Sequence, residues 1–300
     1  MVELVVVGSI ALDDIKTPYG EVNSALGGAA VYSSVAASLL TDVGVVGVVG
    51  NDFPEEYIEF LIERGICTKG LCTGDGRTFR WRGCYEGDMN KAETLETELN
   101  VFEKFEPMLP EDYKNAGYFF LANIDPEIQI AVMKQAKNPK LLVMDTMNYW
   151  IQNKKDKVFD AMEMADIILL NDGEAKLLSD ANNIVSAGRH LLKTGLKAVV
   201  IKKGEHGALL FTKDGLFSAI AYPTENAKDP TGAGDSFAGG FVGWLAKTND
   251  ISHENLKRAV ICGTAMASFN IEGFSIDSLK RISYKDIEKR CEELRDLVEF

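Results

Sequence analysis

A glycine-rich turn in the C-terminal third of the chain carries the clearest chemical pattern, Asp229-Pro-Thr-Gly-Ala-Gly-Asp-Ser-Phe-Ala-Gly-Gly240. Gly232 and Gly234 come just before a segment with helical character, and glycine permits backbone conformations and close approaches that a side chain would block. The amides of residues 232–235 would converge at a helix N-terminus, where the helix dipole also favours an anion. The pattern predicts a site for a phosphoryl group, bound by backbone N–H groups.

Asp235 is the acidic side chain that this turn would hold beside the anion. A carboxylate there can accept the proton of an attacking hydroxyl, which is the task of a general base in phosphoryl transfer to an alcohol. The alternative is that Asp235 only caps the helix and that the glycines only form a tight turn. The residues of the turn alone leave both interpretations open.

Composition limits the classes of partner. The 300 residues are 46% hydrophobic and 26% charged, which is typical of a globular protein, and the net charge of -13 disfavours a nucleic-acid partner. No apolar run approaches the roughly 20 residues that span a bilayer, so we expect no membrane partner and a cytoplasmic location. Five cysteines without a CxxC pair and three scattered histidines indicate reduced thiols and no zinc site.

Apolar runs of strand length alternate with helical segments along the chain. Strands are predicted at Leu4–Val7, Val43–Val49, Tyr118–Leu121, Leu141–Met144, Ile167–Leu170 and Ala198–Ile201. Helices are predicted at Ala29–Leu40, Glu55–Glu63, Glu127–Ala136, Lys154–Met164 and Ile184–Lys193. Because the strands are apolar on both faces, this order predicts an α/β fold with a mainly parallel central sheet covered by helices.

Two polar stretches, at about 15–25 and 75–102, interrupt this alternation. The second contains Phe79, Trp81 and Tyr85 among polar neighbours, which suggests strands outside the main core. We interpret residues 1–300 as a single domain in which these stretches form a small β-sheet lid. Aromatic side chains on such a lid would favour a homodimer in which two lids pair.

The glycine-rich motif resembles the second signature of the PfkB, or ribokinase-like, carbohydrate kinase family. Other segments resemble further parts of that family in the same order: the first signature (Gly27–Ala37), the N-x-x-E element (Asn171–Glu174) and the strand and turn beside the nucleotide (Val200–Gly207). The resemblance implies a ribokinase-like three-layer α/β/α sandwich with a β lid. It also implies transfer of the γ-phosphoryl group of MgATP to a hydroxyl of a sugar or sugar-like metabolite.

The same resemblance implies roles for individual residues. Asp235 would be the general base, and Gly232, Ala233 and Gly234 would form the anion hole. Asn171 and Glu174 would act through Mg²⁺ and its waters. Further positions fall beside the nucleotide (Lys202, Gly204, Gly207) or at a possible site for a monovalent cation such as K⁺ (Asp229, Thr231).

On the acceptor side, the segment from Gly8 to Asp13 resembles the first-strand segment whose aspartate holds substrate hydroxyls. Asp13 is therefore the best candidate substrate ligand, and Gly27 and Gly28 would allow close approach of the acceptor. Asn123, which follows a predicted strand, is a weaker candidate. The alternative for Asp13 is a solvated loop carboxylate or a cap.

Tyr32 stands where many sugar kinases of this family carry an asparagine, and a phenol lacks the paired donor and acceptor of an amide. A ring there could stack on a base, so a nucleoside kinase is the main alternative. Arg80 and Arg82 would share one face of a lid strand and either bind a substrate phosphate or form a solvated face. A non-catalytic sugar- or nucleotide-binding protein is less favoured, because it would be expected to lose the base or the anion hole.

Overall fold

The computed structural model describes residues 2–87, 89 and 91–299. The strands are β1 (Leu4–Val7), β2 (Ala11–Thr17), β3 (Gly20–Gly27), β4 (Val43–Val49), β5 (Cys67–Thr73), β6 (Phe79–Tyr85), β7 (Ala92–Glu98), β8 (Tyr118–Leu121), β9 (Leu141–Asp145), β10 (Ile167–Asn171), β11 (Ala198–Lys202), β12 (Ala208–Thr212) and β13 (Gly215–Ala219). The helices are α1 (Ala29–Ala37), α2 (Glu55–Glu63), α3 (Pro126–Met133), α4 (Asn148–Asn153), α5 (Lys155–Met164), α6 (Asp172–Ser179), α7 (Ile184–Leu192), α8 (Ala233–Thr248), α9 (His253–Asn270), α10 (Asp277–Arg281) and α11 (Tyr284–Asp296).

Nine strands form the central sheet, in the order β13-β12-β11-β10-β9-β8-β1-β4-β5. Neighbours from β11 to β5 run parallel, whereas β12 and β13 are added antiparallel at one edge. In a parallel sheet the carboxyl ends of the strands meet at one edge, which is where open α/β sheets bind ligands. That edge positions most of the polar residues described below.

Alternation along each strand divides the core into two layers. Leu4 and Val6 of β1 pack in a cluster with α1, α8 and α9 on one face of the sheet. Val5 and Val7 pack in a second cluster with α3, α5 and α7 on the other face. Successive side chains of a strand point to opposite faces, so a strand buried on both sides must be apolar throughout. The predicted three-layer sandwich is confirmed.

Four further strands form a separate sheet in the order β3-β2-β6-β7. It contains the two polar stretches that interrupted the alternation, although it begins earlier than expected, at Ala11, and ends at Glu98. β2 pairs with β3 on one side and with β6 on the other, so Asp13 lies opposite Ala25 and Trp81. We refer to this sheet as the lid.

Helix α8 is packed closely along its length because small residues face both of its neighbours. A Cβ atom on Gly239 would lie 2.3 Å from the Ser33 carbonyl oxygen of α1, and one on Gly240 would lie 2.6 Å from Cγ of Met266 in α9. Real Cβ atoms do not approach other atoms so closely, so both positions require glycine. None of the described helices is long and apolar enough to cross a membrane.

Candidate active site

The glycine-rich turn places the start of α8 at the end of a short loop. Gly232 has φ of +73°, in the left-handed region that favours glycine, and α8 begins at the next residue. A Cβ on Gly232 would lie 2.3 Å from the ring of Tyr32, so the turn fits against that ring only without a side chain. Asp235 lies in the first helical turn, close along the chain to the first amides of α8.

Buried hydrogen bonds fix the backbone of this turn. The Asp229 carboxylate accepts from the amides of Thr231 and Ser275, both at 2.9 Å. The Asn270 amide nitrogen donates to the Thr231 carbonyl oxygen at 2.7 Å. Both oxygens of Asp229 therefore support the loop, which holds the amides of α8 in place before any ligand binds.

The environment of Asp235 makes its carboxyl a weaker acid than usual. Burial, followed by the negative charge of Asp145, raises the pKa of Asp235 to about 7, although Lys202 acts in the opposite direction. The Asp235 carbonyl oxygen accepts a hydrogen bond from Ser33 Oγ at 3.0 Å, which fixes the backbone here. A base with a pKa near neutrality combines an available ionised form with useful proton affinity.

Asp145 is a site residue that the sequence analysis missed. It is the last residue of β9 and is almost completely buried, and its Oδ2 lies 2.8 Å from Nζ of Lys202 at the end of β11. Lys202 Nζ would also be 3.2 Å from a Cβ placed on Gly234, so this ammonium lies beside the anion-hole turn. In the sequence, Asp145 is the first acidic residue after the apolar run of β9, which could have indicated a site residue, but it belongs to no recognised motif.

The N-x-x-E element forms a reciprocal cap at the start of α6. The Glu174 carboxylate accepts from the Asn171 amide at 2.7 Å, while Asn171 Oδ1 accepts from the Glu174 amide at 2.8 Å. Burial and the charge of Asp145 raise the pKa of Glu174 to about 7. The cap thus holds Glu174 close to the Asp145–Lys202 pair.

Three carboxyl groups, those of Asp145, Glu174 and Asp235, therefore surround a single ammonium, that of Lys202. Such an excess of negative charge fits a divalent cation with phosphate ligands. Magnesium usually keeps several waters and needs only one or two carboxylates. In the described part of the chain, no three His, Cys, Asp or Glu side chains are arranged to chelate a metal directly, which is compatible with binding through water.

The segment after β11 makes a tight turn beside this cluster. The Lys203 amide donates to the Gly207 carbonyl oxygen at 2.8 Å, and Gly204 begins the short 3-10 turn between them. Gly207 has φ of +81°, and a Cβ there would lie 2.0 Å from the Ala219 carbonyl oxygen. Lys202 is paired with Asn171 in the sheet, so these two predicted positions are neighbours.

On the acceptor side, Asp13 is buried on lid strand β2, with only 3% of its surface exposed. Burial and the charge of Asp229 raise the pKa of Asp13 to about 8, although the Gly28 amide donates to it. A Cβ on Gly27 would lie 1.9 Å from Asp13 Oδ2, so that glycine is required for the carboxyl to fit. The alternative interpretation of Asp13 as a solvated loop residue was wrong.

Tyr32 also lies in this region, but not as expected. It is 1% exposed and its ring packs on Gly232, so the idea that it stacks on a base was wrong. Its hydroxyl makes no hydrogen bond of ordinary geometry among the described residues, although Ser275 is close enough to lower its pKa. Burial and the charges of Asp13 and Asp229 raise its pKa, which places the phenol oxygen beside both carboxyl groups.

Two weaker candidates make other contacts. Asn123 accepts from Trp150 Nε1 at 3.1 Å and donates to the sulfur of Met147, so it would have to give up one bond to bind a substrate. Arg80 lies near Asp52 and Ser24, at 3.8 and 3.3 Å. Arg82 lies 3.3 Å from both Asp14 and Glu96. Carboxylates therefore already offset both arginine charges. Arg82 is 54% exposed, as expected for a solvated strand face, whereas Arg80 is 26% exposed and its Nε is buried without a hydrogen-bond partner among the described residues.

The profile of the pfkB family carbohydrate kinases matches residues 1–279. Cytidine kinase of Thermococcus kodakarensis is 31% identical over 249 residues, which cover 81% of this chain and 88% of that protein.

The fold was compared with solved structures. Nucleoside kinase of Methanocaldococcus jannaschii superposes with a TM-score of 0.80 at 23% identity, covering 97% of this chain and 99% of that one. A ribokinase II from E. coli in complex with ATP and Mg²⁺ has a TM-score of 0.80 at 20% identity, covering 98% and 100%. At these identities, both similarities are evidence for the fold alone.

Proposed function

The chain belongs to the pfkB family of carbohydrate kinases, and within that family we propose that its acceptor is a nucleoside, with Asp235 as the general base. The chain is an ATP-dependent phosphotransferase of the sugar and nucleoside kinase type. The observation that carries the nucleoside proposal is the similarity to a cytidine kinase across four fifths of the chain.

Two groups of the chain would handle the acceptor hydroxyls. With a pKa of about 8, Asp13 is mostly protonated at neutral pH, so it can donate to one hydroxyl and accept from another. Asp235 takes the proton of the hydroxyl that attacks, and its pKa of about 7 lets it remain ionised in a useful fraction of molecules. Asp13 thus binds the acceptor, and Asp235 accepts the proton of the attacking hydroxyl.

The phosphoryl group would be held mainly by backbone. The amides of residues 232–235 are fixed by the Asp229 and Asn270 hydrogen bonds and need no rearrangement to receive its oxygens. Lys202 adds a positive charge beside Gly234. Magnesium, when bound with ATP, supplies further charge neutralisation, and Glu174 and Asn171 are the residues that would hold its waters.

The test is a coupled assay of ADP release with a panel of acceptors. Cytidine, uridine, adenosine and inosine are compared with free ribose, fructose and inositol at matched concentrations. We expect kcat/KM to be highest for a nucleoside and Asp235→Asn to lower kcat by about 10²- to 10⁴-fold. A preference for a free sugar would refute the nucleoside proposal, and turnover by Asp235→Asn at the rate of the unmodified enzyme would refute the role of Asp235.

We also propose that a monovalent cation such as K⁺ binds beside Asp229 and Thr231. Asp229 is fully buried, and burial raises its pKa, yet among the described residues only neutral donors contact it. A nearby cation would offset that buried charge. The test compares kcat in K⁺, Na⁺ and tetramethylammonium chloride at equal ionic strength; equal rates in all three would exclude the site.

A homodimer formed through the lid is a further proposal. The outer part of the lid exposes Leu95 and Leu99, at 55% and 44%, and such apolar groups favour an interface. Trp81 adds half-buried aromatic surface on β6. Sedimentation velocity at micromolar concentration should show a dimer that Leu95→Asp weakens, and a monomer at every concentration would exclude it.

We propose a cytoplasmic location, where ATP is available. The five cysteines are free thiols in the structure, as suits a reducing compartment. Fractionation of cells that produce a tagged chain would test this, and recovery of the chain outside the cytoplasm would contradict it.

A further inference from the structure

Lid strand β6 ends at a tyrosine that contacts the catalytic turn. Tyr85 is 8% exposed, and its hydroxyl accepts a hydrogen bond from Thr231 Oγ1 at 3.1 Å. Thr231 immediately precedes Gly232, whose left-handed conformation starts α8. The bond therefore joins the lid to the backbone that the proposed function uses to hold the phosphoryl group.

The polar groups of Thr231 contact both the core and the lid. Its amide donates to Asp229 and its carbonyl oxygen accepts from Asn270, so the core fixes its backbone. Its hydroxyl donates to Tyr85 of the lid and also lies close enough to Asp229 to lower the pKa of that carboxyl. Because the backbone bonds do not involve the lid, the turn can keep its shape when the lid moves, while the Thr231 hydroxyl and the Tyr85 hydroxyl would lose each other.

The position of the Tyr85 hydroxyl indicates what lies beneath the lid. Burial raises the pKa of Tyr85, and the carboxyl groups of Asp13, Asp229 and Asp235 raise it further. The phenol oxygen is therefore close enough to feel all three acidic groups of the acceptor region. Because Tyr85 is itself buried, its side chain shields this acidic region from solvent on the side of the lid.

We propose that the Tyr85–Thr231 hydrogen bond is a latch that couples lid closure to the catalytic turn, so that the phosphoryl group goes to the bound acceptor and not to water. This proposal rests on the proposed kinase function. Tyr85 is then a positioning residue, since it acts through Thr231 and through the exclusion of solvent. Opening the lid to admit or release an acceptor costs one buried hydrogen bond, and closing it restores that bond.

The experiment compares Tyr85→Phe, Thr231→Val and the double variant, all of which keep the local shape. Acceptor KM, kcat and ATP hydrolysis without acceptor are measured. A net hydrogen bond of ordinary strength corresponds to a roughly 3- to 10-fold effect, so we expect each single variant to raise acceptor KM by that factor. We also expect each to raise the ratio of ATP hydrolysed to acceptor phosphorylated. The double variant should be no worse than either single variant, because both remove the same bond.

Tyr57→Phe is the matched control. The Tyr57 hydroxyl also donates to the lid, to the Ser24 carbonyl oxygen at 3.1 Å, but makes its contact away from the catalytic turn. This variant should leave the hydrolysis ratio unchanged. Thr231→Ser, which keeps the hydroxyl, should show a lower acceptor KM and a lower hydrolysis ratio than Thr231→Val. Additive effects of Tyr85→Phe and Thr231→Val, or an unchanged KM and hydrolysis ratio in Tyr85→Phe, would overturn the latch.

Hydrogen exchange tests the latch independently of the proposed function. Amides of β6 are followed without ATP or acceptor, and Tyr85→Phe should accelerate their exchange several-fold while Tyr57→Phe should not accelerate exchange at the end of β6. An enzyme that phosphorylates no acceptor would refute the proposed function, yet this exchange measurement would still decide for or against the latch. Unchanged exchange in Tyr85→Phe would decide against it.

Discussion

Replacing Asp145 by asparagine should move the pH dependence of the reaction toward acid. The pKa of Asp235 is raised from 3.8 to about 7 by burial and then by the charge of Asp145, while Lys202 lowers it. In Asp145→Asn the negative charge disappears and the Lys202 ammonium loses its partner at 2.8 Å. Both changes stabilise the ionised form of Asp235, so its pKa must fall, and Glu174 changes in the same direction.

The size of the shift follows from the charges. A base with a pKa of about 7 is ionised in about one tenth of molecules at pH 6 and in about nine tenths at pH 8. A close charge commonly changes a pKa by one unit or more, so we expect the acidic limb to move down by about one pH unit. One unit corresponds to about 1.4 kcal/mol of interaction between the two groups. Burial still holds the pKa above its ordinary value.

The assay is kcat/KM for the acceptor from pH 5 to pH 9, because this quantity reports the ionisation of the free enzyme. Asp166→Asn is the matched control. Asp166 pairs with Lys197 at 2.8 Å and accepts the Leu142 amide, but it lies at the opposite edge of the same sheet. A limb that stays in place or moves to higher pH in Asp145→Asn would refute the reasoning, as would an equal shift in Asp166→Asn.

Three further outcomes are expected. Asp235→Asn should lower kcat by about 10²- to 10⁴-fold while calorimetry shows ATP binding retained, and loss of ATP binding would contradict its role as base. Gly232→Ala should lower the free energy of unfolding by at least about 1 kcal/mol, because φ is +73° at this position and the new methyl group would clash with the Tyr32 ring. An unchanged midpoint of urea unfolding would contradict this. Tyr32→Phe should raise the free energy of unfolding by about 1 kcal/mol, because it removes a buried hydroxyl that makes no hydrogen bond of ordinary geometry. The same variant should raise acceptor KM. A loss of stability would show that the hydroxyl is hydrogen-bonded.

Three of the nine strands of the central sheet, β5, β12 and β13, were not predicted, and β5 and β13 are exposed or half-buried over most of their length. The remaining six were predictable because they are apolar on both faces, and three of these six have the same limits in the structure. The other three run one residue further, and the additional residues are Asp145, Asn171 and Lys202. The hydrophobic pattern does not reveal the last residue of a strand, because a residue with a polar side chain can still form the backbone hydrogen bonds of the sheet. Those last positions contribute three of the polar groups of the candidate site.

The partners of individual side chains were harder to predict. Asn171 and Lys202 were found through the motifs that contain them, whereas Asp145 lies in no motif and enters the site only through its distance to Lys202. The ring of Tyr32 was expected to face a ligand, but it packs on Gly232, which is 200 residues later in the chain. Contacts between such distant segments depend on how α1 and α8 pack, and local sequence patterns carry no information about that packing.

The glycines of α8 have a consequence for how the specificity of this enzyme can change. Because Gly239 and Gly240 hold α8 against α1 and α9 without room for even a methyl group, substitutions along this helix would disturb the phosphoryl site before they altered the acceptor. The lid is a separate sheet whose outer strand β7 is mostly solvated. We therefore expect variation to be tolerated most readily in the lid, so directed evolution toward new acceptors has most to gain from libraries in β3, β6 and β7 that leave Gly27 and Tyr85 unchanged.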